Sequence, residues 1–237
     1  MKQLLLMSSS RKGNLGYLEH ADEQLNTILS DKIKRVLFIP YAGVSFSFDD
    51  YEKMVRPVYE RLGYELVSVH QFDNAAEAVA SADALAVGGG NTFALLTRLY
   101  ENKLVELVHE RVADGMPYMG WSAGTNVACP TIRTTNDMPI VQPPSFSAFN
   151  LVPFQINPHF ISGKPVGHNG ESREERLGEF LVMNPKESVV AIPEGTALYV
   201  QGDQARIMGE FDGMVFRQDK VETLASGGEF PLSQING

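Results

Sequence analysis

Gly120-Trp121-Ser122-Ala123-Gly124 has the pattern G-x-S-x-G and follows Met116-Pro117-Tyr118-Met119, a short apolar run. That run reads as a buried strand, and Ala123-Gly124-Thr125-Asn126-Val127-Ala128 reads as the start of a helix. A serine on a sharp strand-to-helix turn has its hydroxyl pushed out of the sheet, and flanking glycines relieve the crowding. The next backbone N–H, on Ala123, then points to where an oxyanion would form. The same pattern also occurs in glycine-rich turns that carry a merely solvated serine. A strand before it and a helix after it favour a nucleophilic hydrolase.

Outward from this turn, apolar runs alternate with helical spacings. Strands are expected at 4–7, 36–39, 66–69 and 84–87, the last running into Gly88-Gly89-Gly90. Leu18, Ala21, Leu25, Ile28 and Leu29 have helical spacing, as do Tyr51, Met54, Val55, Val58 and Leu62 behind the acidic start Asp49-Asp50. Further helices are expected at 75–82, 92–100 and 104–113. Strands apolar on both faces and separated by helices predict an α/β fold, a mostly parallel sheet covered by helices on both faces.

Residues 131–153 are rich in Thr, Asn, Pro and Ser and read as a long ordered loop, which inside a compact domain is usually functional. A strand at 154–156 is expected to resume the sheet, followed by a helix from Arg173 and a strand at 189–192. Short alternating runs at 198–200, 206–208 and 214–216 read as antiparallel C-terminal edge strands. No repeat or low-complexity tract divides the chain, so one domain over 1–237 is expected.

Lys plus Arg total 20 and Asp plus Glu total 29, a net charge of -9, which argues against general nucleic-acid binding. Hydrophobic residues make up 43% of 237, enough to bury a sizeable core. Cys129 is the only cysteine, which excludes an intramolecular disulfide and disfavours a cysteine-based zinc site. The first apolar run is too short for a signal-peptide core and reads as a strand. No run approaches the roughly 18 apolar residues of a membrane span. A cytoplasmic, soluble protein is the expectation.

A serine nucleophile needs a base, and the base needs an orienting group. His20 and His109 lie in helical patterns, His70 ends a strand, and His168 lies in a Gly-rich loop. His159 is the strongest candidate: it follows the expected strand at 154–156 and Asn157-Pro158, at a strand end where α/β ligands bind. Glu194, in Ile192-Pro193-Glu194-Gly195, reads either as the orienting acid or as an exposed turn acid. Gly90, with Gly89 as alternative, is the candidate for a second oxyanion donor beside Ala123, because Gly88-Gly89-Gly90-Asn91 lacks the Lys of a P-loop. The order Ser, His, Glu differs from the Ser, acid, His order of α/β-hydrolases.

Taken together, GGGNTF from Gly88, GWSAG from Gly120, PTIRTTNDMPI from Pro130, INPHF from Ile156 and IPEG from Ile192 resemble the peptidase E family of bacterial α-aspartyl dipeptidases. The resemblance runs from the first strand into the C-terminal strands. It implies a fold similar to class I glutamine amidotransferases, with serine in place of their cysteine. It also implies a Ser122-His159-Glu194 triad that cleaves Asp-X dipeptides through an aspartyl-enzyme, without metal or cofactor. Aspartate selectivity calls for a cation, for which Arg173 is the first choice and Arg133 and Arg176 are alternatives. Asp137 or Glu171 is the candidate acceptor for the α-amino group, and Asn91 is a further substrate-binding candidate. Two rival readings are a cyanophycinase-like peptidase of the same fold and a non-catalytic small-molecule sensor.

Overall fold

The computed structural model describes residues 1–164, 166–167 and 169–236. Five strands, β1 (Gln3–Met7), β2 (Arg35–Ile39), β3 (Glu65–Ser68), β4 (Ala84–Val87) and β5 (Tyr118–Trp121), run parallel in the order β1-β5-β4-β2-β3. The last part of the chain forms β6 (Gln155–Asn157), β7 (Val189–Ala191), β8 (Ala197–Gln201), β9 (Gln204–Met208), β10 (Gly213–Arg217), β11 (Lys220–Leu224) and β12 (Glu229–Pro231). Of these, β8, β9 and β12 extend the main sheet beyond β1 by antiparallel pairing.

Alternate residues of the parallel strands enter different cores, which is why those strands read as unbroken apolar runs. Leu4, Leu6, Leu37, Ile39, Leu85 and Val87 pack on one face, against α3 (Ala75–Ala80), α4 (Thr92–Glu101) and α5 (Leu104–Ala113). Leu5, Met7, Phe38, Ala86, Met119 and Trp121 pack on the other, against α1 (Asp22–Ile28) and α2 (Phe48–Arg61). Helices α2 and α4 begin on side-chain caps: Ser47 Oγ accepts from Asp50 N at 3.1 Å, and Asn91 Oδ1 accepts from Ala94 N at 3.0 Å. No helix among the described residues is long and apolar enough to cross a membrane.

Two local expectations are corrected. The strand before Ser122 covers Tyr118–Trp121 and starts after Pro117, which has no N–H to give a ladder. The strand at 155–157 does not resume the main sheet. Both neighbours of β1 are taken, by β5 and β8, and the edge beyond β9 is closed by β12. Instead β6 pairs in parallel with β7, and β7, β10 and β11 complete a second sheet in the order β11-β10-β7-β6. One face of this sheet, through Ile156, Val190 and Val215, joins the core of the main sheet. Its other face, through Val189, Ala191 and Phe216, is covered by Leu177 and Leu181 of α7 (Arg173–Met183).

The loop at 131–153 is ordered against the helix after Ser122. Phe149 N donates to Val127 O at 2.9 Å and Leu151 N to Ala128 O at 2.8 Å, while Phe149, Leu151 and Val152 are buried. Cys129 is buried beneath it, and Ile156 N donates to its Sγ at 3.1 Å. Burial pushes this thiol up to about 12, so it stays protonated at neutral pH.

The tightest approach to the main sheet is made by Gly124, in the helix after Ser122, where a Cβ would lie 2.1 Å from the backbone oxygen of Val87. Backbone cannot yield as a side-chain tip can. Gly124→Ala is expected to lower unfolding free energy by about 1–3 kcal/mol or more. Gly178, inside α7 with open space around it, gives the opposite sign: Gly178→Ala is expected to add about 0.5–1 kcal/mol. Urea unfolding of both variants checks the pair, and an unaffected Gly124→Ala protein would contradict the close approach.

Candidate active site

The chain leaves β5 at Trp121 and turns into α6 (Ala123–Asn126) with Ser122 at φ 53° and ψ −110°. A residue with a side chain in the left-handed half of backbone space costs on the order of 1–3 kcal/mol. The turn is held from three sides. Ser122 N donates to Met7 O at 3.1 Å, and Asn126 N donates to Ser122 O at 3.0 Å. Thr125 Oγ1 lies 2.7 Å from Met7 O and 3.0 Å from Gly120 O.

His159 follows β6 and also has positive φ, 54°. Its Nε2 lies 2.9 Å from Ser122 Oγ, and its Nδ1 lies 2.7 Å from Glu194 Oε1, just beyond β7. With the ring proton on Nδ1, facing a carboxylate, Nε2 is the acceptor for the serine hydroxyl. Glu194 is 55% exposed and His159 36%, so this pair contributes little to stability and acts chiefly by orienting the ring. The three residues singled out in the sequence therefore form one hydrogen-bonded chain, delivered by two sheets.

Sequence reasoning missed the residues that fasten these loops together. Ser8, fully buried at the end of β1, accepts from His159 N at 2.8 Å and donates to Ile192 O at 2.9 Å. Ser9 Oγ accepts from Gly195 N at 3.2 Å. The available signal was positional: Ser8-Ser9-Ser10 leaves an apolar strand at the same sheet edge as Ser122. Two of the other histidines are engaged elsewhere. His70 lies between Ser68 and Asp49, and His109 Nδ1 meets Phe149 O at 2.8 Å. Burial, and then Lys12, hold His20 below its ordinary value. His168 lies outside the described residues.

Gly90 has φ 135°, and a Cβ there would meet Ala42 O at 2.3 Å, so only glycine fits. Gly89 packs on the serine itself, its missing Cβ falling 3.0 Å from Ser122 Cβ. Among the described residues neither Gly90 N nor Ala123 N donates within the protein.

A cavity of about 280 Å³ is lined by Asn157, two residues before His159, and by Asn136, Asp137, Arg173 and Arg176, among others. Arg173 Nη1 donates to Asn136 Oδ1 at 2.5 Å, and Asn136 Nδ2 donates to Pro158 O at 2.8 Å, immediately before His159. Burial, and then the like charge of Arg176, hold the Arg173 guanidinium below its ordinary value. An incoming anion would offset both by favouring the charged form. Arg133 lines the same cavity, but its guanidinium is taken by Glu187 and by Asn184 Oδ1 and stacks 5.2 Å from the Phe180 ring centre. Arg176 is exposed, with Nε 3.7 Å from Glu171.

Asp137 Oδ2 accepts from Thr92 N at 2.7 Å and from Thr92 Oγ1 at 2.5 Å, so it also caps α4. The Asn91 side chain is used structurally at both ends, by Ala94 N and by Met138 O. A larger cavity, about 450 Å³, reaches Gly195, and like the smaller one it is lined by none of Ser122, His159 or Glu194. Volume therefore does not mark the reactive site here; the serine–histidine–carboxylate chain does.

The family model described as Peptidase family S51 matches residues 4–208. The chain is 54% identical over 220 residues to Peptidase E of Pasteurella multocida (strain Pm70), covering 92% of this chain and 94% of that protein. To Peptidase E of Actinobacillus pleuropneumoniae serotype 5b (strain L20) it is 52% identical over 232 residues, covering 97% and 99%. The crystal structure of a peptidase from an acI-B1 Actinobacterium superposes with a TM-score of 0.74 at 21% identity, over 98% of this chain and 97% of that one, a likeness of fold. A family match over most of the chain and relatives at about half identity agree, and the chain belongs to peptidase family S51.

Proposed function

We propose that this peptidase is a serine dipeptidase that releases an N-terminal aspartate from Asp-X. The observation that carries the reading is the hydrogen-bonded chain Ser122–His159–Glu194, at 2.9 and 2.7 Å, with Arg173 tied through Asn136 to Pro158, the residue before His159. The name Peptidase E, borne by relatives at about half identity, supports the same reading.

Ser122 Oγ attacks the carbonyl of the Asp–X bond as His159 Nε2 takes its proton, and Glu194 stabilises the imidazolium that forms. The N–H groups of Gly90 and Ala123 receive the oxyanion. His159 then gives its proton to the leaving amine of X, and an aspartyl ester remains on Ser122. Water attacks that ester with His159 again as base, which frees aspartate and restores the serine.

Arg173 pairs with the substrate's side-chain carboxylate. It is half-buried and held by a neutral amide, whereas the charge of Arg133 is already matched by Glu187. Asp137 accepts the α-amino group through Oδ1, since Oδ2 is occupied by Thr92. In a chain of net charge -9, a local cation is what draws an acidic substrate.

Ser122→Ala is expected to lower kcat by ~10⁴-fold or more, with the unfolding midpoint little changed. Turnover near wild type by the folded variant would remove Ser122 from the mechanism.

Substrate charge gives a separate test. Asp-Leu and Asn-Leu are nearly isosteric, so their ratio of kcat/KM isolates the electrostatic contribution. A buried charge left without its partner costs on the order of 2–5 kcal/mol, or about 30- to several-thousand-fold. Arg173→Met is expected to shrink the Asp/Asn ratio by a comparable factor, mainly through poorer use of Asp-Leu. Arg133→Met and Arg176→Met are expected to keep most of the preference. Equal hydrolysis of Asp-Leu and Asn-Leu by the wild type would contradict the aspartyl reading. A preference that survives Arg173→Met and collapses in another variant would reassign the cation.

A further inference from the structure

Behind the Gly88-Gly89-Gly90 turn lies a buried row of polar ring atoms that ends on its backbone. Trp121 Nε1 donates to Tyr17 Oη at 2.8 Å and, more weakly, to Tyr51 Oη at 3.3 Å; Tyr17 Oη donates to Tyr51 Oη at 3.0 Å, and Tyr51 Oη donates to Gly89 O at 2.8 Å. The direction of this row is fixed from both ends. An indole N–H only donates and a carbonyl only accepts, so each tyrosine accepts from one side and passes its own hydrogen to the other. Hydrogen bonds aligned in this way strengthen one another. Tyr51 is 2% exposed, and its ring is wedged edge-on against Phe38 and Phe46, with centres at 5.0 and 5.1 Å.

Gly89 C=O and Gly90 N–H are the two ends of one peptide unit, and no cis bond occurs among the described residues. In a trans peptide these two groups point in opposite directions. Drawing the carbonyl inward to Tyr51 therefore turns the Gly90 N–H away from Tyr51, and among the described residues no protein acceptor takes it. A run of three glycines has little torsional resistance of its own to a flip of this peptide. A flipped peptide would present a carbonyl oxygen, not a donor, to a developing oxyanion.

We propose that Tyr51, backed by Tyr17 and Trp121, is the positioning residue that holds the Gly90 N–H in its donating orientation. The inference rests on the reading of Gly90 as an oxyanion donor. It gives Tyr51 no contact with substrate and no part in proton transfer. Trp121 immediately precedes Ser122, so the row also ties the nucleophile's strand to the donor's turn. Burial pushes Tyr17 up to about 12 and Tyr51 well above its ordinary range, which keeps both hydroxyls protonated as donors.

The test is Tyr51→Phe, which keeps the ring and removes the hydroxyl. Loss of an oxyanion donor costs about 10²–10³-fold in rate, and loss of its anchor is expected to cost about 10- to 100-fold in kcat. KM is expected to stay within about twofold, because a ground-state carbonyl uses the donor far less than the oxyanion does. The acid limb of the pH–rate profile, set by the base, is expected not to move. A small phosphonofluoridate, which phosphonylates the serine with its P=O in the same donor site, is expected to react more slowly by a similar factor. That probe does not depend on aspartate recognition. A folded Tyr51→Phe enzyme with wild-type kcat and phosphonylation rate would overturn the inference while leaving the proposed function intact. Turnover by Ser122→Ala would instead overturn the function beneath it. If Tyr51→Phe does not fold, Tyr17→Phe removes the shorter of the two bonds donated to Tyr51 and leaves only that of Trp121 Nε1 at 3.3 Å. A several-fold loss confined to kcat and phosphonylation would then support the row, and unchanged values of both would overturn it.

Discussion

The site depends on the backbone of Ser122 being held where a side-chain-bearing residue does not rest by choice. With φ at 53° and ψ at −110°, the turn from β5 into α6 lifts the hydroxyl out of the sheet and leaves the Ala123 N–H without an internal acceptor. That geometry costs on the order of 1–3 kcal/mol, offset by the bonds of Ser122 N and Thr125 Oγ1 to Met7 O and by the contact of Gly124 on Val87. These contacts come from β1 and β4, the strands on either side of β5. The strain is therefore carried by the centre of the sheet, where local opening is least favourable.

The second sheet supplies what this turn lacks. β6 and β7 are adjacent and parallel, so the residues beyond their C-terminal ends, His159 and Glu194, emerge side by side. Their distance from Ser122 then depends on how the two sheets are joined. Ser8 makes that join at the reactive end, since one buried hydroxyl meets the backbone of both incoming loops. Farther down, Ile156 N on Cys129 Sγ fastens β6 to the chain just beyond α6. A weak, exposed histidine–carboxylate hydrogen bond suffices at the mouth because the backbones behind it are already fixed.

Much of this was legible in the sequence, and the limits have physical causes. The parallel half was readable because strands buried on both faces, such as Leu4-Leu5-Leu6-Met7 and Ala84-Leu85-Ala86-Val87, carry an unmistakable apolar run. Ser122, His159 and Glu194 stood out as chemistry-bearing residues directly after such runs. The split into two sheets was not readable, because strands as short as Gln155–Asn157 and Val189–Ala191 carry no record of their partners. β11 and β12 escaped notice for a different reason: most of their residues are exposed, so no apolar period marks them. Ser8 and Asn136 were missed because a small polar residue declares its role only through a partner, which for Ser8 lies 151 positions away. Likewise Arg133 and Arg173 look alike in sequence, and only their neighbours tell a spent charge from an available one.

Asn136 joins these threads. Its carbonyl oxygen accepts from Arg173 and from Asn157, while its amide donates to Pro158 O, one residue before His159. On the proposed reading, the group that recognises the substrate's charge and the group that moves its proton thus lean on one side chain. An uncharged support suits this position. A carboxylate at 136 would neutralise Arg173 much as Glu187 neutralises Arg133, and a substrate carboxylate would then have to displace it. The amide fixes the guanidinium without cancelling its charge. In a chain of net charge -9, that is how one cation can be both held and left open to an acidic ligand.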